Sequence, residues 1–169
     1  MPPTRTHDLI TLGGAALLVP VSLFVPSDNR WLSCAVATGA HLLSGLLFSN
    51  DLDVAGVELR RWGPLRWIWW PYGRLIPHRS WLSHGLVVGP LLRLVYFALF
   101  VEVVAVVVCL GAQAVGRGVL DGLPWWHQFW GHLAVAYPRR FIEFAAGFIL
   151  AGVSHSIPDW VETGIRRVI

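Results

Sequence analysis

Four long apolar blocks dominate this chain. Residues 9–26, 31–49, 86–115 and 141–157 carry few or no charges. Each is near or beyond the ~20 residues that an α-helix needs to cross the hydrocarbon of a bilayer. An apolar content of 55% and a mean hydropathy of +0.58 agree with membrane insertion. So do the ten Trp, because indoles collect at the headgroup boundary. The expected architecture is all-α, a single integral membrane domain over residues 1–169, with four helices bundled and two Trp/Arg-rich loops lying in the interface. The competing reading is a soluble helical protein with unusually apolar buried helices.

The net charge of +3 comes with thirteen basic residues, every one of them Arg. None forms the dense basic block that nucleic acid requires, and most fall between the apolar blocks, where anionic lipid lies. Membrane lipid is therefore the expected partner, and nucleic acid is not. Cys34 and Cys109 both fall inside apolar blocks and form neither a CxxC pair nor a disulfide framework. Arg5 followed by an apolar run, with Ala35-Val36-Ala37 beyond it, has the outline of a secretory signal. Cleavage there would discard His7 and Asp8, so the first block is read as a retained helix.

Thr6 is placed to cap the first helix, with His7 and Asp8 in its opening turn, and Pro26-Ser27-Asp28-Asn29 reads as the turn that ends it. Asn50-Asp51-Leu52-Asp53 stops the second helix. The loop that follows contains Trp62-Gly63-Pro64-Leu65-Arg66-Trp67-Ile68-Trp69-Trp70-Pro71-Tyr72, aromatic and basic but too broken by Pro and Gly to span. The third block holds Arg93 and Glu102. These sit on opposite faces of a helix, so each must snorkel or find another helix. In the second loop, residues 116–140, Trp125-Trp126-His127 and Trp130-Gly131-His132 read as an interfacial helix. No internal repeat is present.

Imidazole nitrogens and carboxylate oxygens are the donors that hold zinc, manganese or iron. His7 and Asp8 open the first helix, Asp51 and Asp53 follow the second, His78 and His84 precede the third, and His155 and Asp159 end the fourth. With four helices alternating across a bilayer, all of these lie on one face. The spacing of His155 and Asp159 puts both on one side of a helix, and Pro158 between them is a place for a kink that aims them inward. Asp51 and Asp53 can serve one ion and bridge to a second if the chain turns there. His78 and His84 meet only through a turn, with Ser80, Ser83 and Ser154 available to orient imidazoles.

Each pair has a plain explanation when taken alone. Acids favour helix starts, Asp stops helices, and a His-rich loop is usually solvated. The convergence of all of them favours a shared metal site. His41, deep in the second block, reads as a helix-contact histidine, and His127 and His132 belong to the opposite face. Arg5, Arg60, Arg61, Arg66, Arg74, Arg79, Arg166 and Arg167 fall on the ligand side, against Arg30, Arg117, Arg139 and Arg140 on the other. By the positive-inside rule the ligand face is expected to be cytoplasmic.

Read in order, His7, Asp51-Leu52-Asp53, His78-Arg79-Ser80-Trp81-Leu82-Ser83-His84 and Ser154-His155-Ser156-Ile157-Pro158-Asp159 resemble a bacterial family of uncharacterised metal-binding membrane proteins. That family is similar in turn to inner-membrane metal-dependent hydrolases of the LexA-regulated type. These carry an early His, Pro-Asp-x-Asp, His-Arg-Gly-x-Thr-His-Ser and a late Ser-His-x-x-x-Asp. Here Asn50 replaces the Pro, Ser80 the Gly and Gly85 the last Ser, and one extra residue separates the histidines. Both groups are remotely similar to zinc-dependent phospholipase C and the fungal single-strand nucleases.

The resemblance implies a ligand set of His7, Asp51, Asp53, His78, His84, His155 and Asp159, and a phosphoesterase-like hydrolase acting on a lipid-linked or membrane-proximal substrate. Seven donors exceed the four of one tetrahedral zinc, so more than one divalent ion is expected, zinc first, with manganese or iron as the other choices. Arg79, between two ligands, is the candidate for stabilising charge on the phosphorus centre. The alternatives are a non-catalytic metal-binding membrane protein and a small membrane subunit that meets partners through its Trp-rich loops.

Overall fold

Apolar runs of this length, rich in Leu, Val and Ala, satisfy their backbone internally as helices, and helices account for every regular element among the described residues. The computed structural model of the chain describes residues 4–116 and 122–168. Among them the helices are α1 (Thr4–Phe24), α2 (Arg30–Leu46), α3 (Val57–Arg60), α4 (Trp70–Leu75), α5 (Trp81–His84), α6 (Val88–Ala114), α7 (Gly122–Ala136) and α8 (Pro138–Val168). Short 3₁₀ turns occupy Asn50–Asp53 and Gly63–Trp69. Four stretches, Arg5–Phe24, Arg30–Asp53, Val88–Ala114 and Pro138–Val161, are long and apolar enough to cross a bilayer.

α2 is the centre of the molecule, packed along α8 on one side and α1 on the other. Small residues let these helices approach. A Cβ at Gly147 of α8 would strike the Ala37 carbonyl of α2, and one at Gly45 of α2 would strike the Thr11 side chain of α1. Far from the ligand-bearing ends, Arg140 reaches Asp28 with both carboxylate oxygens at 2.6 and 2.7 Å, and also Glu143 and Ser33. This cluster ties the α1–α2 turn to the start of α8.

α6 joins this group largely through aromatic side chains from the segment before it. Phe48, just beyond α2, meets Trp62, Trp69, Phe97 and Phe148 edge-on at 5.2–5.5 Å between ring centroids, an arrangement favoured by the ring quadrupoles. Val95, Leu99, Val103 and Val107 of α6 stay exposed.

Several expectations change here. α1 begins at Thr4, so Thr6 lies inside the helix and not at its cap. The fourth helix does not end at His155 and Asp159: α8 runs on to Val168, with Pro158 inside it. Most of the described part of the second loop is α7. The first loop is a chain of short helices whose tryptophans divide between two tasks: Trp69 is in the aromatic core, while Trp67, Trp70 and Trp81 are exposed. Arg117 and the side chains of Arg166 and Arg167 lie outside what is described.

Candidate metal centre

The turn at Asn50–Asp53 begins where Ser49 caps it, its side chain accepting from the Asp51 amide. Asp51 departs from helical geometry at φ −91° and ψ 18°. That bend parts two carboxylates only two residues apart. Asp51 points into the protein, towards His84 and His155, while Asp53 lies beside His78, whose Nδ1 is 3.0 Å from Asp53 Oδ1.

A second turn brings the two loop histidines together. The Ser80 amide donates to the Pro77 carbonyl, Arg79 adopts φ 59°, and Ser80 then caps α5 by accepting from the Ser83 amide. The His78 and His84 rings end 5.3 Å apart and nearly perpendicular. Ser83 Oγ lies 3.0 Å from His84 Nδ1, which leaves Nε2 to face the carboxylates.

The inner donors form a close group. His84 Nε2 is 3.5 Å from Asp51 Oδ1 and 3.5 Å from Asp159 Oδ2. His155 Nε2 is 3.5 Å from Asp51 Oδ2 and 3.6 Å from Asp159 Oδ2. One donor atom from each of these four residues lies within 4.8 Å of every other, and all four residues are buried. His7 stacks on His155 at 3.8 Å between centroids and reaches Asp159 Oδ1 at 3.5 Å. Asp53, His78 and His84 make a second group meeting the same distance limit, and there the His78 side chain is 30% exposed.

These separations discriminate between two kinds of contact. A good N–H···O hydrogen bond measures about 2.9–3.0 Å, whereas two ligands held at about 2.0–2.1 Å by one tetrahedral ion lie about 3.3–3.4 Å apart. The inner distances fit the second. His7 Nε2, Asp51 Oδ1, His84 Nε2 and His155 Nε2 are buried without a hydrogen-bond partner. Such atoms are costly unless something satisfies them, and a divalent cation among the inner donors would satisfy those of Asp51, His84 and His155. Burial works against charge on His84, yet Asp159, Asp51 and Asp53 outweigh it and push the imidazole up to about 9.

Behind the donors lies a polar layer that spacing alone did not reveal. Arg93 of α6, fully buried, donates to the Ser83 carbonyl at 2.8 Å and to the Asn50 side-chain oxygen. Asn50 Nδ2 in turn donates to Ser156 Oγ at 2.6 Å. Asn50, Ser83 and Ser156 are the chain neighbours of Asp51, His84 and His155, so one guanidinium spaces three of the inner donors. Glu58 of α3 is also buried, and its charge acts on His7.

The remaining sequence candidates sit elsewhere. Asp8 pairs with Arg61 at 2.5 Å and not with the donors. Arg79 is exposed and, among the described residues, has no carboxylate within ion-pair reach. His41 is buried against the Thr11 carbonyl at 3.2 Å, and His127 pairs with Glu102 at 2.8 Å. Ser154 bonds back to the Ala151 carbonyl.

A family model described as uncharacterised metal-binding protein (DUF2227) matches residues 2–169. The chain belongs to that family. Comparison with curated proteins and with solved structures found no match. Membership in DUF2227 and the buried His/Asp group together support a bound metal ion.

Proposed function

We propose that this DUF2227 protein is a membrane-embedded, metal-dependent hydrolase of phosphoesters, acting on a lipid-linked or membrane-proximal substrate. The observation that carries the reading is the pairing of a buried inner group (Asp51, His84, His155, Asp159) with an outer pair in which the Asp53 carboxylate is buried and His78, the chain neighbour of Arg79, is exposed. Structural sites close around their ion, while catalytic ones keep an open position. One imidazole nitrogen serves one ion, so His84 Nε2 belongs to the inner position. Asp53 and His78 would hold an outer ion with only two donors from the chain.

Nitrogen and oxygen donors without sulfur suit zinc and equally admit manganese or iron. Bound there, such ions activate water and polarise a phosphoryl oxygen. The chain's own residues do the rest. His78 and Asp53 line the open edge, the bundle ends keep water from the inner donors, and Arg79 offers its guanidinium to the phosphate. Its backbone is held at φ 59°, a left-handed conformation unusual for a residue with a Cβ. Strain of this kind gathers at functional sites. The resemblance to the LexA-regulated hydrolases supports the reaction class, and the arginines on the ligand side support a cytoplasmic site in a bacterial inner membrane.

A non-catalytic role has one observation in its favour: the inner group joins the turn after α2 with α5 and α8, as an ion that staples helices would. The deciding experiment is elemental analysis of detergent-purified protein beside the His78→Ala, His155→Ala double variant, followed by a phosphoester screen. Two equivalents of metal lost in the variant, with turnover in the wild type, support the hydrolase. Bound metal without turnover supports the staple, and no bound metal in the wild type overturns both.

A further inference from the structure

An open groove of ≈ 580 Å³ lies on the outer side of the segment between the second and third membrane-length helices, lined by Leu59, Arg66, Trp67, Trp70 and Pro71. Its walls are apolar apart from one guanidinium. Trp67 and Trp70 are 58% and 62% exposed, whereas Trp69 between them in sequence packs into the core. Arg74 stacks over the ring of the lining residue Trp70 at 4.5 Å from its centroid, so a second guanidinium lies against a wall of the groove. Among the described residues, Arg66 and Arg74 have no carboxylate within ion-pair reach, and neither do Arg60 and Arg79. The only acid within residues 57–81, Glu58, is buried.

The groove also has a defined height. Tyr96 donates to the Ile68 carbonyl, and Trp67 meets Phe100 edge-on at 5.3 Å. Both contacts fall roughly two to three turns into α6. The segment therefore runs alongside a helix of membrane length and does not stand away from it in water. Exposed indoles beside unpaired guanidiniums at that level suit a molecule that is apolar at one end and anionic at the other.

We propose that this groove is a headgroup site for an anionic phospholipid, with the phosphate held by Arg66 and Arg74 and the first acyl carbons lying on Leu59, Trp67, Trp70 and Pro71. This rests on the membrane part of the functional reading and is independent of the metal. Charge complementarity selects the occupant, because a zwitterionic lipid brings its own ammonium to a patch that already carries only positive charge.

The test uses the full-length protein in vesicles of mixed phosphatidylcholine and phosphatidylglycerol, with bromine on the acyl chains of one lipid or the other at equal mole fraction, and reads quenching of tryptophan fluorescence. Brominated phosphatidylglycerol is expected to quench more, corresponding to a preference of roughly tenfold to thirtyfold. That excess should vanish in Arg66→Ala, Arg74→Ala protein of unchanged circular dichroism, and in Trp67→Phe, Trp70→Phe protein, which keeps the other eight tryptophans but loses the two indoles of the groove. Equal quenching by the two lipids in the wild type overturns the site, as does a preference that survives Arg66→Ala, Arg74→Ala. A preference removed by millimolar inorganic phosphate would reassign the groove to a free anion and overturn the lipid. Quenching by neither lipid would overturn membrane embedding itself.

Discussion

His7 and His155 lie face to face, 3.8 Å between centroids and 12° from parallel, with their Nε2 atoms directed at different oxygens of Asp159. Only His155 belongs to the group of four mutually close donors. The two histidines should therefore differ on mutation. His155→Ala is expected to reduce tight metal binding to background, while His7→Ala should weaken it about 10–100-fold, the usual cost of losing a group that orients a ligand. Competition titration against a zinc indicator separates the two, and equal losses would refute the distinction.

The outer position should be separable from the inner one. His78→Ala removes a half-exposed donor that the inner group does not use. Its expected result is loss of the weaker of two metal equivalents, together with turnover, with the tighter equivalent retained. Equilibrium dialysis against graded metal concentrations reads this, and loss of both equivalents at once would count against two positions.

Metal binding and protons compete at His84. An imidazole held at about 9 is protonated at neutral pH in the metal-free protein, and a metal ligand must be neutral. Apparent affinity should rise about tenfold per pH unit up to about pH 9, with proton release visible by calorimetry in buffers of different ionisation enthalpy. Stability of the metal-free form follows the same group. The folded pKa is raised above the ordinary 6.5, so the stabilisation is complete below about 6.5 and is lost as pH climbs through 9, roughly 3 kcal/mol in all. A flat unfolding profile over that window would contradict it.

Asn50→Ala removes an acceptor from a fully buried guanidinium and leaves Ser156 without its donor. A buried charge that loses a partner typically costs about 3 kcal/mol. The variant should unfold earlier in a denaturing-detergent titration and bind metal less tightly, because the spacing of Asp51 and His155 relaxes with it. An unchanged midpoint would show that Arg93 finds other acceptors.

Arg79→Gly separates geometry from charge. Glycine adopts φ 59° without a Cβ clash, so stability should stay level or rise by up to about 1 kcal/mol. Phosphoester turnover should fall at least tenfold. Retained turnover would remove Arg79 from the proposed chemistry.

The meeting of the donors was legible before any coordinates, because alternating helices return their ends to the same side and the His and Asp residues sit at those ends. How Asp51 and Asp53 divide between two groups was not legible, since it depends on a single bend at Asp51. Arg93 was harder still. Its partners lie 10 and 43 residues away in sequence, at positions that no helical period links to it. The tryptophan segment gave no periodicity to read either. In a run broken by Gly63, Pro64 and Pro71, adjacent Trp69 and Trp70 take opposite environments for reasons set by Phe48 and Phe97, not by local spacing.

The inner donors come from the Asn50–Asp53 turn, α5 and α8, with His7 of α1 stacked on one of them, so the first and last of these residues stand far apart in sequence. Between the emergence of His7 and that of Asp159, a ribosome working at 5–20 residues per second spends roughly 8–30 s. Throughout that interval an ion finds only fragments of its site. Tight loading becomes possible when α8 has taken its place beside α2, so the arrival of metal marks the end of assembly and commits the chain to it.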